Sequence, residues 1–419
     1  MSTKKGIGRP LRLASGIELP NRLAKAAMTE GLADGRGRPG PKLVRLYERW
    51  ARGGVGLSVT GNAMVDGRYL ERAGNVVLDD PGAEEALSTW AAAARKGCPA
   101  IVQLSHPGRQ TNRFICGRPL APSEGPPVKV LASFARPRAM TPLEVEETVA
   151  RFAAAASACQ RAGFDGVQVH AAHGYLLAQF LSPLTNRRDD RWGGALEGRA
   201  RLLLEVVRAI RARTGRGFTL AVKLNSADFQ RGGFSEEESL QVVRWLDGEG
   251  IDLLEISGGN YESPALLLGP GVRESTVARE AYFLEFARRV RGVTRMPLMV
   301  TGGFRTLAAM EAALAEGALD VVGLARPLAL EPDLPGRLLS GQVEGSEVHP
   351  LRVKNRMLAM TAEAAWFGDQ IHRLADGREP DPGLSPYGSI ARYLVTEPAR
   401  GLWRRLTWRD PCRTAPAGE

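Results

Sequence analysis

The sequence predicts an α/β protein built as a (β/α)8 TIM barrel, and two observations support this fold class. Between about residue 20 and residue 340, eight short apolar segments alternate with seven longer segments of helical periodicity. This alternation is typical of a barrel of parallel strands wrapped by helices. The residues directly after the apolar segments are polar or rich in Gly. Because the C-terminal ends of barrel strands form the ligand-binding mouth, we expect the functional site there.

The predicted elements follow one another in regular order. The strands are Leu23–Met28, Val55–Thr60, Ala100–Leu104, Gly166–His170, Thr219–Leu224, Leu253–Ser257, Leu298–Thr301 and Val321–Gly323. The helices are Pro41–Arg52, Glu84–Lys96, Pro142–Ala162, Leu196–Thr214, Ser235–Glu249, Arg279–Arg291 and Thr306–Glu316. Thr141 and Ser235 are expected N-caps, because short polar side chains accept hydrogen bonds from the unpaired N–H groups of a first helical turn.

Three regions lie outside this alternation. Residues 1–20 predict a short hairpin, broken at Ser15-Gly16, that closes the bottom of the barrel. Residues 106–140 are rich in Pro, Gly and Arg and predict a long capping loop or hairpin over the mouth. We therefore predict a barrel over residues 1–340 and an extension over residues 341–419, helical to Arg373 and coil beyond. The extension is too short for a sizeable core of its own. It is expected to pack on the barrel or on a neighbouring subunit, which leaves a homo-oligomer possible.

Composition and charge argue against several classes of protein. The formal charge is +10, but only eight of the 56 basic residues are Lys and the Arg residues are scattered among acids. No basic segment interleaved with aromatic residues is present, so nucleic-acid binding is not expected. No apolar run is long enough to span a membrane, and no secretory signal follows Lys4 and Lys5. The four cysteines are dispersed, which disfavours iron–sulfur and zinc sites and suits thiols in a reducing cytoplasm.

The segment from His170 to Tyr175 carries the clearest sign of chemistry. It directly follows the apolar run of residues 164–169, so its side chains are expected at the end of a strand. If the turn is helical, His170 and His173 share one face, and their ring N–H groups converge on one ligand oxygen. The Tyr175 hydroxyl is then a nearby proton source, since an ordinary phenol with a pKa of about 10 is protonated at neutral pH. The alternative is that two half-buried histidines merely cap the strand.

Two late segments suit a phosphate group. Gly302-Gly303 follows the seventh predicted strand, and Ala325-Arg326 follows the eighth. Glycines let backbone N–H groups approach an anion, and an Arg adds a fixed charge. Phosphate binding at these two strands recurs among such barrels. The alternative is that the glycines only make tight turns. No dinucleotide-binding glycine motif follows a strand, so the redox cofactor expected in such a mouth is FMN.

Three further polar residues lie near strand ends. Gln103 has an amide that suits the pyrimidine edge of a flavin, and Lys223 has an ammonium group that suits the N1–C2=O side of a reduced flavin. Thr29 follows the first strand, where its hydroxyl can reach the flavin O4. The alternatives are a salt bridge within the barrel for Lys223 and a hydrogen bond to backbone for Thr29.

Together these residues resemble the old yellow enzyme family of FMN-dependent ene-reductases, also called the NADH:flavin oxidoreductase family. The resemblance runs from Pro20 to about Leu339. The matching segments are residues 21–29, 103–110, 170–183, 186–194, 300–304 and 323–327.

The resemblance implies that NADH or NADPH reduces FMN, and that the reduced flavin then reduces the C=C bond of an α,β-unsaturated carbonyl compound or a related small molecule. His170 and His173 would bind the substrate oxygen, and Tyr175 would protonate Cα. Tyr261, which follows the sixth predicted strand, is expected to shape the substrate pocket.

The resemblance also implies an FMN site. The matching positions are Ala27, Met28, Thr29, Gly61, Gln103, Lys223, Gly302, Gly303, Ala325 and Arg326. Three of them depart from the common pattern of the family: Ala27 replaces a Pro, Lys223 replaces an Arg and Ala325 replaces a Gly. Lys keeps the charge but not the planar fork of Arg, so a different flavin potential is expected.

Two other functions fit parts of the pattern. A phosphosugar isomerase or aldolase without flavin would use the Gly302-Gly303 site but leaves Gln103 and the histidine pair unexplained. A ligand-binding protein whose catalysis has decayed would not be expected to keep Tyr175 and both histidines.

Overall fold

The structure, a computed structural model, describes residues 6–128, 133–258, 283–349, 351, 353 and 356–407. Eight parallel strands close into a barrel, which confirms the predicted (β/α)8 fold. Its strands are β3 (Leu23–Lys25), β4 (Leu57–Met64), β5 (Ala100–Ser105), β8 (Gly166–Ala171), β9 (Thr219–Asn225), β10 (Leu253–Ser257), β11 (Leu298–Thr301) and β12 (Val321–Leu324). The first of these strands pairs with the last, Val322 opposite Leu23.

Helices surround the barrel. They are α1 (Pro41–Arg52), α2 (Glu84–Ala94), α3 (Pro142–Arg161), α4 (Leu176–Leu181), α5 (Leu196–Thr214), α6 (Glu236–Gly248), α7 (Leu307–Ala315), α8 (Pro327–Leu330), α9 (Leu334–Leu339), α10 (Arg356–Ala375) and α11 (Pro386–Thr407). Residues 283–291 are also helical, so the predicted helix Arg279–Arg291 lies partly outside the described residues. Both predicted N-caps are confirmed: Thr141 and Ser235 accept from the third residue of their helices.

Strand side chains alternate between the barrel interior and the helical layer, as the two-residue period requires. Ile101 of β5 joins a small interior cluster with Ala24 and Met299. Its neighbour Val102 joins the larger cluster between strands and helices, which also contains Trp50. The core therefore has two layers, and the interior layer fills the barrel.

The predicted hairpin at the bottom of the barrel is confirmed. Strands β1 (Leu11–Arg12) and β2 (Glu18–Leu19) pair in antiparallel fashion. Leu19 is fully buried in the interior cluster of the barrel, so the hairpin closes the end opposite to the mouth.

The region of residues 106–140 differs from a simple hairpin. Its strands β6 (Leu120–Ala121) and β7 (Arg138–Ala139) pair in parallel. A parallel pair needs a crossover rather than a tight turn, and residues 122–137 supply it, of which 129–132 lie outside the described residues.

The prediction of coil after Arg373 is wrong for residues 386–407, which form the long helix α11. Gly388, Gly401 and Pro398 interrupt its sequence pattern, and intrinsic propensity disfavours all three in a helix interior. Contacts with α10 offset this cost. Arg392 of α11 pairs with Asp369 of α10 at 2.8 Å, and the Trp366 indole of α10 donates to the Leu384 carbonyl in the connection just before α11 at 2.8 Å.

Two of the predicted barrel strands have substantially different bounds in the structure. The strand predicted as Leu23–Met28 ends at Lys25, and the strand predicted as Val55–Thr60 runs from Leu57 to Met64. Cys98 and Cys159 are free thiols, as expected, and Cys412 lies outside the described residues. Among the described residues, no helix is long and apolar enough to cross a membrane.

We expect Thr141→Ala to lower the free energy of unfolding by about 1 kcal/mol. The Thr141 hydroxyl accepts from the Glu144 N–H at 3.2 Å, and the Glu144 carboxylate accepts from the Thr141 N–H at 2.9 Å. Urea denaturation measures the loss. Thr141→Ser keeps the hydroxyl and is the control. Equal stability of the Ala variant and the wild type would mean that the Thr141 hydroxyl does not stabilise the helix.

Candidate active site

The predicted His–His–Tyr cluster lies at the mouth of the barrel, but not on a helical turn. His170 belongs to strand β8, opposite Lys223 in the register with β9. His173 lies two residues beyond the strand with a left-handed backbone, φ 58°. Positive φ is uncommon for a residue with a Cβ. The conditional expectation of a shared helical face is therefore wrong, and the reversal of the chain at His173 brings the rings together instead.

The three rings nevertheless converge. The centroids of the His170 and His173 rings lie 5.1 Å apart, and those of His170 and Tyr175 lie 4.8 Å apart, both nearly edge-on. His170 and Tyr175 are buried, and His173 is half-buried. Tyr175 is the N-cap residue of the short buried helix α4, so helix packing fixes the position of its phenol.

Hydrogen bonds from neighbouring residues hold both histidines in place. The Ala172 N–H donates to Nδ1 of His170 at 3.3 Å. A neutral imidazole with Nδ1 as acceptor carries its proton on Nε2. The backbone N–H of His173 donates to Oδ1 of Asn225 at 3.1 Å, and Nε2 of His173 lies 2.7 Å from the Ser257 hydroxyl. Asn225 and Ser257 were not predicted as site residues, although each ends a strand at the mouth.

Burial sets the protonation state of the pair. Removal from water lowers the pKa of His170 well below its usual value, and the nearby His173 and Lys223 lower it further. Burial, with the Lys223 charge, also lowers the pKa of His173 well below its usual value. Both rings are therefore neutral at pH 7 and act as hydrogen-bond donors rather than as acids.

Gln103 and Lys223 belong to one buried hydrogen-bond network that links side chains of neighbouring strands inside the barrel. The Gln103 amide donates to Gln168 Oε1 at 2.8 Å, and the Gln168 amide donates to Glu255 Oε2 at 2.7 Å. Lys223 Nζ lies 2.8 Å from Glu255 Oε1, which also accepts from the Thr301 hydroxyl at 2.6 Å.

The contact of Lys223 with Glu255 is the salt bridge within the barrel that the sequence left open as an alternative for Lys223. Sequence reasoning missed Gln168 and Glu255. The signal for Glu255 was a lone carboxylate inside the apolar strand Leu253–Ser257, because a buried charge requires a partner.

Ala27, Met28 and Thr29 lie together in the segment that follows β3, and each is partly exposed. Thr29 donates to Asn62 Oδ1 at 2.9 Å and to Glu71 Oε2 at 3.3 Å. The expected alternative, a bond to backbone, is therefore wrong for Thr29, since its partners are side chains.

Gly61 lies against this segment. Its N–H donates to Glu30 Oε1 at 3.0 Å, and a Cβ at this position would overlap the Met28 carbonyl and the Glu30 carboxylate. Only a residue without a side chain permits this approach. Glu30, which sequence reasoning missed, also accepts from the Tyr47 hydroxyl.

The predicted phosphate-binding residues line one pocket. Gly302, Gly303, Ala325 and Arg326 all belong to its wall. Gly302 and Gly303 have φ values of 124° and 89°. Residues with a Cβ rarely adopt such positive φ angles, so glycine suits both positions. The pocket joins the ends of β11 and β12.

Charge in this pocket fits a phosphate. Arg305, which was not predicted, also lines it. Burial and the nearby Arg326 lower the pKa of Arg305, as expected for two guanidinium groups that face one site. Arg326 Nη1 donates to Glu363 Oε2 of α10 at 2.7 Å. Two arginines and open glycine backbone fit the phosphate of FMN.

Tyr261, the predicted pocket residue, lies outside the described residues. A further buried histidine, His106, follows β5 at the mouth and packs on Tyr69, with ring centroids 5.1 Å apart. Its Nδ1 accepts from the Gly108 N–H at 3.1 Å. Burial lowers the pKa of His106 to about 4.

A closed barrel with a glycine- and arginine-lined pocket at the ends of β11 and β12, and with two neutral histidines and a phenol at the end of β8, fits the flavin-dependent oxidoreductases of the TIM-barrel class. The chain belongs to the NADH:flavin oxidoreductase / NADH oxidase family, which it matches over residues 7–344. This confirms the predicted family, with FMN as cofactor and NADH as electron donor.

Relatives with similar sequences are also named as NADH-dependent oxidoreductases. The chain is 38% identical over 352 residues to the NADH-dependent flavin oxidoreductase iliE of Hypocrea jecorina, covering 78% of this chain and 87% of the relative. It is 34% identical over 332 residues to the NADH oxidase of Thermoanaerobacter brockii, covering 78% of this chain but only 50% of the relative.

Solved structures show the same barrel. A 2-naphthoyl-CoA reductase complex superposes with a TM-score of 0.75 at 28% identity, covering 80% of this chain and 52% of that one. Morphinone reductase in complex with tetrahydroNAD superposes with a TM-score of 0.69 at 26% identity, covering 82% of this chain and 93% of that one.

We expect the free energy of unfolding to fall as the pH drops below about 6.5. Folded His106, His170 and His173 have lowered pKa values, whereas the unfolded chain binds protons at the usual pKa of about 6.5. The contribution of these three histidines to the free energy of unfolding is fully present above pH 6.5 and is lost progressively as the pH falls toward 4.

Urea unfolding at pH 7.5, 6.5 and 5.5 measures this loss. His106→Asn should reduce the slope between pH 6.5 and 5.5 by up to roughly 1.4 kcal/mol per pH unit, the value of one proton. An unchanged slope would mean that folded His106 binds its proton normally.

Proposed function

We propose that the protein reduces the activated C=C bonds of α,β-unsaturated carbonyl compounds with electrons from NADH. The observation that carries this proposal is the convergence of two neutral histidines and Tyr175 at the end of β8, with ring centroids 5.1 and 4.8 Å apart. FMN, when bound, supplies the hydride chemistry between the nicotinamide and the substrate Cβ. The residues supply orientation, hydrogen bonds and a proton.

His170 is proposed to bind the carbonyl oxygen of the substrate. Its proton lies on Nε2, because Nδ1 accepts from the Ala172 backbone. A fixed donor of this kind stabilises the negative charge that develops on the oxygen as hydride arrives at Cβ, which is the logic of an oxyanion hole. His173 is proposed to share this oxygen, held in place by Asn225 and Ser257.

Tyr175 is proposed to donate the proton to Cα. Its backbone N–H donates to the Ala172 carbonyl at 3.2 Å, and its carbonyl accepts from Gln179 at 2.8 Å. The phenol is therefore fixed relative to the histidines. A general acid held in this way contributes roughly 10²- to 10⁴-fold to the rate.

The cofactor is proposed to lie between the two halves of the site. Gly302, Gly303, Ala325 and Arg326 would hold its phosphate. At the ring, Gln103 would bind the pyrimidine edge and Lys223 would stabilise negative charge on the N1–C2=O side. The proposed ring contacts in the segments after β3 and in β4 are Ala27, Met28, Thr29 and Gly61.

An absorption spectrum of the purified protein tests the proposal first. We expect a yellow protein that loses its colour with anaerobic NADH and regains it when cyclohexenone is added. A protein that binds no FMN and stays colourless would favour the flavin-free isomerase or aldolase instead.

Tyr175→Phe should still bind FMN and oxidise NADH, but it should reduce cyclohexenone roughly 10²- to 10⁴-fold more slowly because the general acid is lost. Stopped-flow measurement of the two half-reactions separates these effects. Tyr387→Phe, at a half-exposed position on α11, is the matched control. Unchanged enone reduction by Tyr175→Phe would assign the proton to another group.

His170→Ala should weaken the binding of phenols, because a phenolate mimics the enolate oxygen that the Nε2 donor stabilises. Loss of a hydrogen bond to a charged group costs about 1.5–3 kcal/mol, so the dissociation constant should rise roughly 10- to 150-fold. Titration of the flavin spectrum with a phenol gives this constant. An unaltered affinity would contradict the role of His170.

A further inference from the structure

The C-terminal helices α10 and α11 reach the segment that is proposed to contact the flavin ring. His372 Nε2 of α10 donates to the Glu30 carbonyl at 2.8 Å, and Arg400 Nη1 of α11 donates to the Gly31 carbonyl at 3.2 Å. Arg404 of α11 donates to the Gly35 carbonyl at 3.3 Å. Three side chains from two helices therefore bind main-chain oxygens of one short loop.

This loop directly continues the proposed flavin contacts. Glu30 follows Thr29, and its carboxylate accepts from the Gly61 N–H at 3.0 Å. Tyr47 and Lys25 bind the same carboxylate, Lys25 at 3.8 Å. His372 thus binds the main chain of the residue whose side chain joins the two proposed ring-contacting segments.

A second route from α11 leads to Thr29. Arg72 lies over the ring of Tyr393, 5.3 Å from its centroid. Arg72 also pairs with the Glu71 carboxylate at 3.9 Å. Glu71 Oε2 accepts from Thr29 at 3.3 Å and from Asn62 at 2.7 Å. The packing of α11 therefore fixes the partner of the Thr29 hydroxyl.

The two helices are themselves firmly joined and anchored. Arg392 of α11 pairs with Asp369 of α10 at 2.8 Å. Arg45 of α1 donates to the Ala375 carbonyl at the end of α10 at 2.8 Å. Because α10 and α11 are held firmly, their side chains can hold the loop at residues 30–35 in one position.

We infer that α10 and α11 form part of the flavin site, with His372 and Arg400 as positioning residues for the ring-facing segment 27–31. The inference rests on the proposed placement of the flavin ring against Met28 and Thr29. The helices keep the loop in its binding conformation, so the protein does not have to order it when the flavin binds. The effect of His372 and Arg400 is on the ring, whereas α10 meets the proposed phosphate pocket separately, through Glu363 and Arg326.

The test compares His372→Leu and Arg400→Leu with the wild type. Each variant loses one donor, and we expect the dissociation constants of FMN and riboflavin to rise by the same factor, about five- to tenfold. Riboflavin lacks the phosphate, so equal factors locate the effect at the ring. Quenching of flavin fluorescence on titration into apoprotein gives both constants.

The midpoint potential of bound FMN is the second readout. A shifted Thr29 hydroxyl changes the hydrogen bonding at the ring, so the potential should move in both variants. His372→Gln and Arg400→Lys keep an N–H donor and should restore affinity and potential. Arg373→Leu removes a hydrogen bond from α10 to the Glu379 carbonyl, which lies outside the loop and does not join the two helices, and it should behave as wild type.

Two results would overturn the inference. One is unchanged flavin affinity and potential in folded His372→Leu and Arg400→Leu, with thermal melting as the check on folding. The other is an equal loss in Arg373→Leu, which would mean that any weakening of these helices suffices. Failure of wild-type apoprotein to bind either flavin would instead refute the proposed flavin site on which the inference rests.

Discussion

The buried carboxylate of Glu255 is the constraint on which the mouth of the barrel depends. A charge in this interior needs partners from every side, and Glu255 receives them from Gln168, Lys223 and Thr301 on three other strands. Gln168 in turn binds Gln103. The network fixes the register of five adjacent strands, β5 and β8–β11, at the mouth of the barrel. A one-residue slip in any of them would leave a charge or an amide unpaired.

Above this network, the site combines rigid strands with short irregular turns. His170 is held by strand β8, while His173 takes a left-handed conformation that costs energy and persists because Asn225 and Ser257 hold it. The neutral state of both rings follows from the same burial. A charged pair would repel each other and Lys223, whereas neutral donors can meet an oxygen that becomes negative only during the reaction. Position and protonation thus have one physical origin.

The sequence predicted the barrel well because each strand and helix carries its own local signal: apolar runs, N-caps at Thr141 and Ser235, and turn glycines. It grouped Gly302, Gly303, Ala325 and Arg326 correctly in one pocket, since strand order alone brings them together. It could not reveal the contacts of Glu30, Arg305 or His372, because these depend on packing between segments far apart in the chain. Helix α11 was missed for a related reason: its Pro and Gly residues disfavour a helix locally, and only contacts with α10 and the barrel stabilise it.

The pairing of β3 with β12 has a consequence for biosynthesis. The Glu30 carbonyl and its partner His372 are 342 positions apart, and the barrel closes only when the last strand reaches the first. Contacts this distant form late, because a long loop must be ordered before they stabilise the chain. During translation, α10 must therefore emerge from the ribosome before its His372 can hold the Glu30 loop in the conformation proposed to bind the flavin. On that proposal, the flavin binds only after the strands of the barrel have been synthesised.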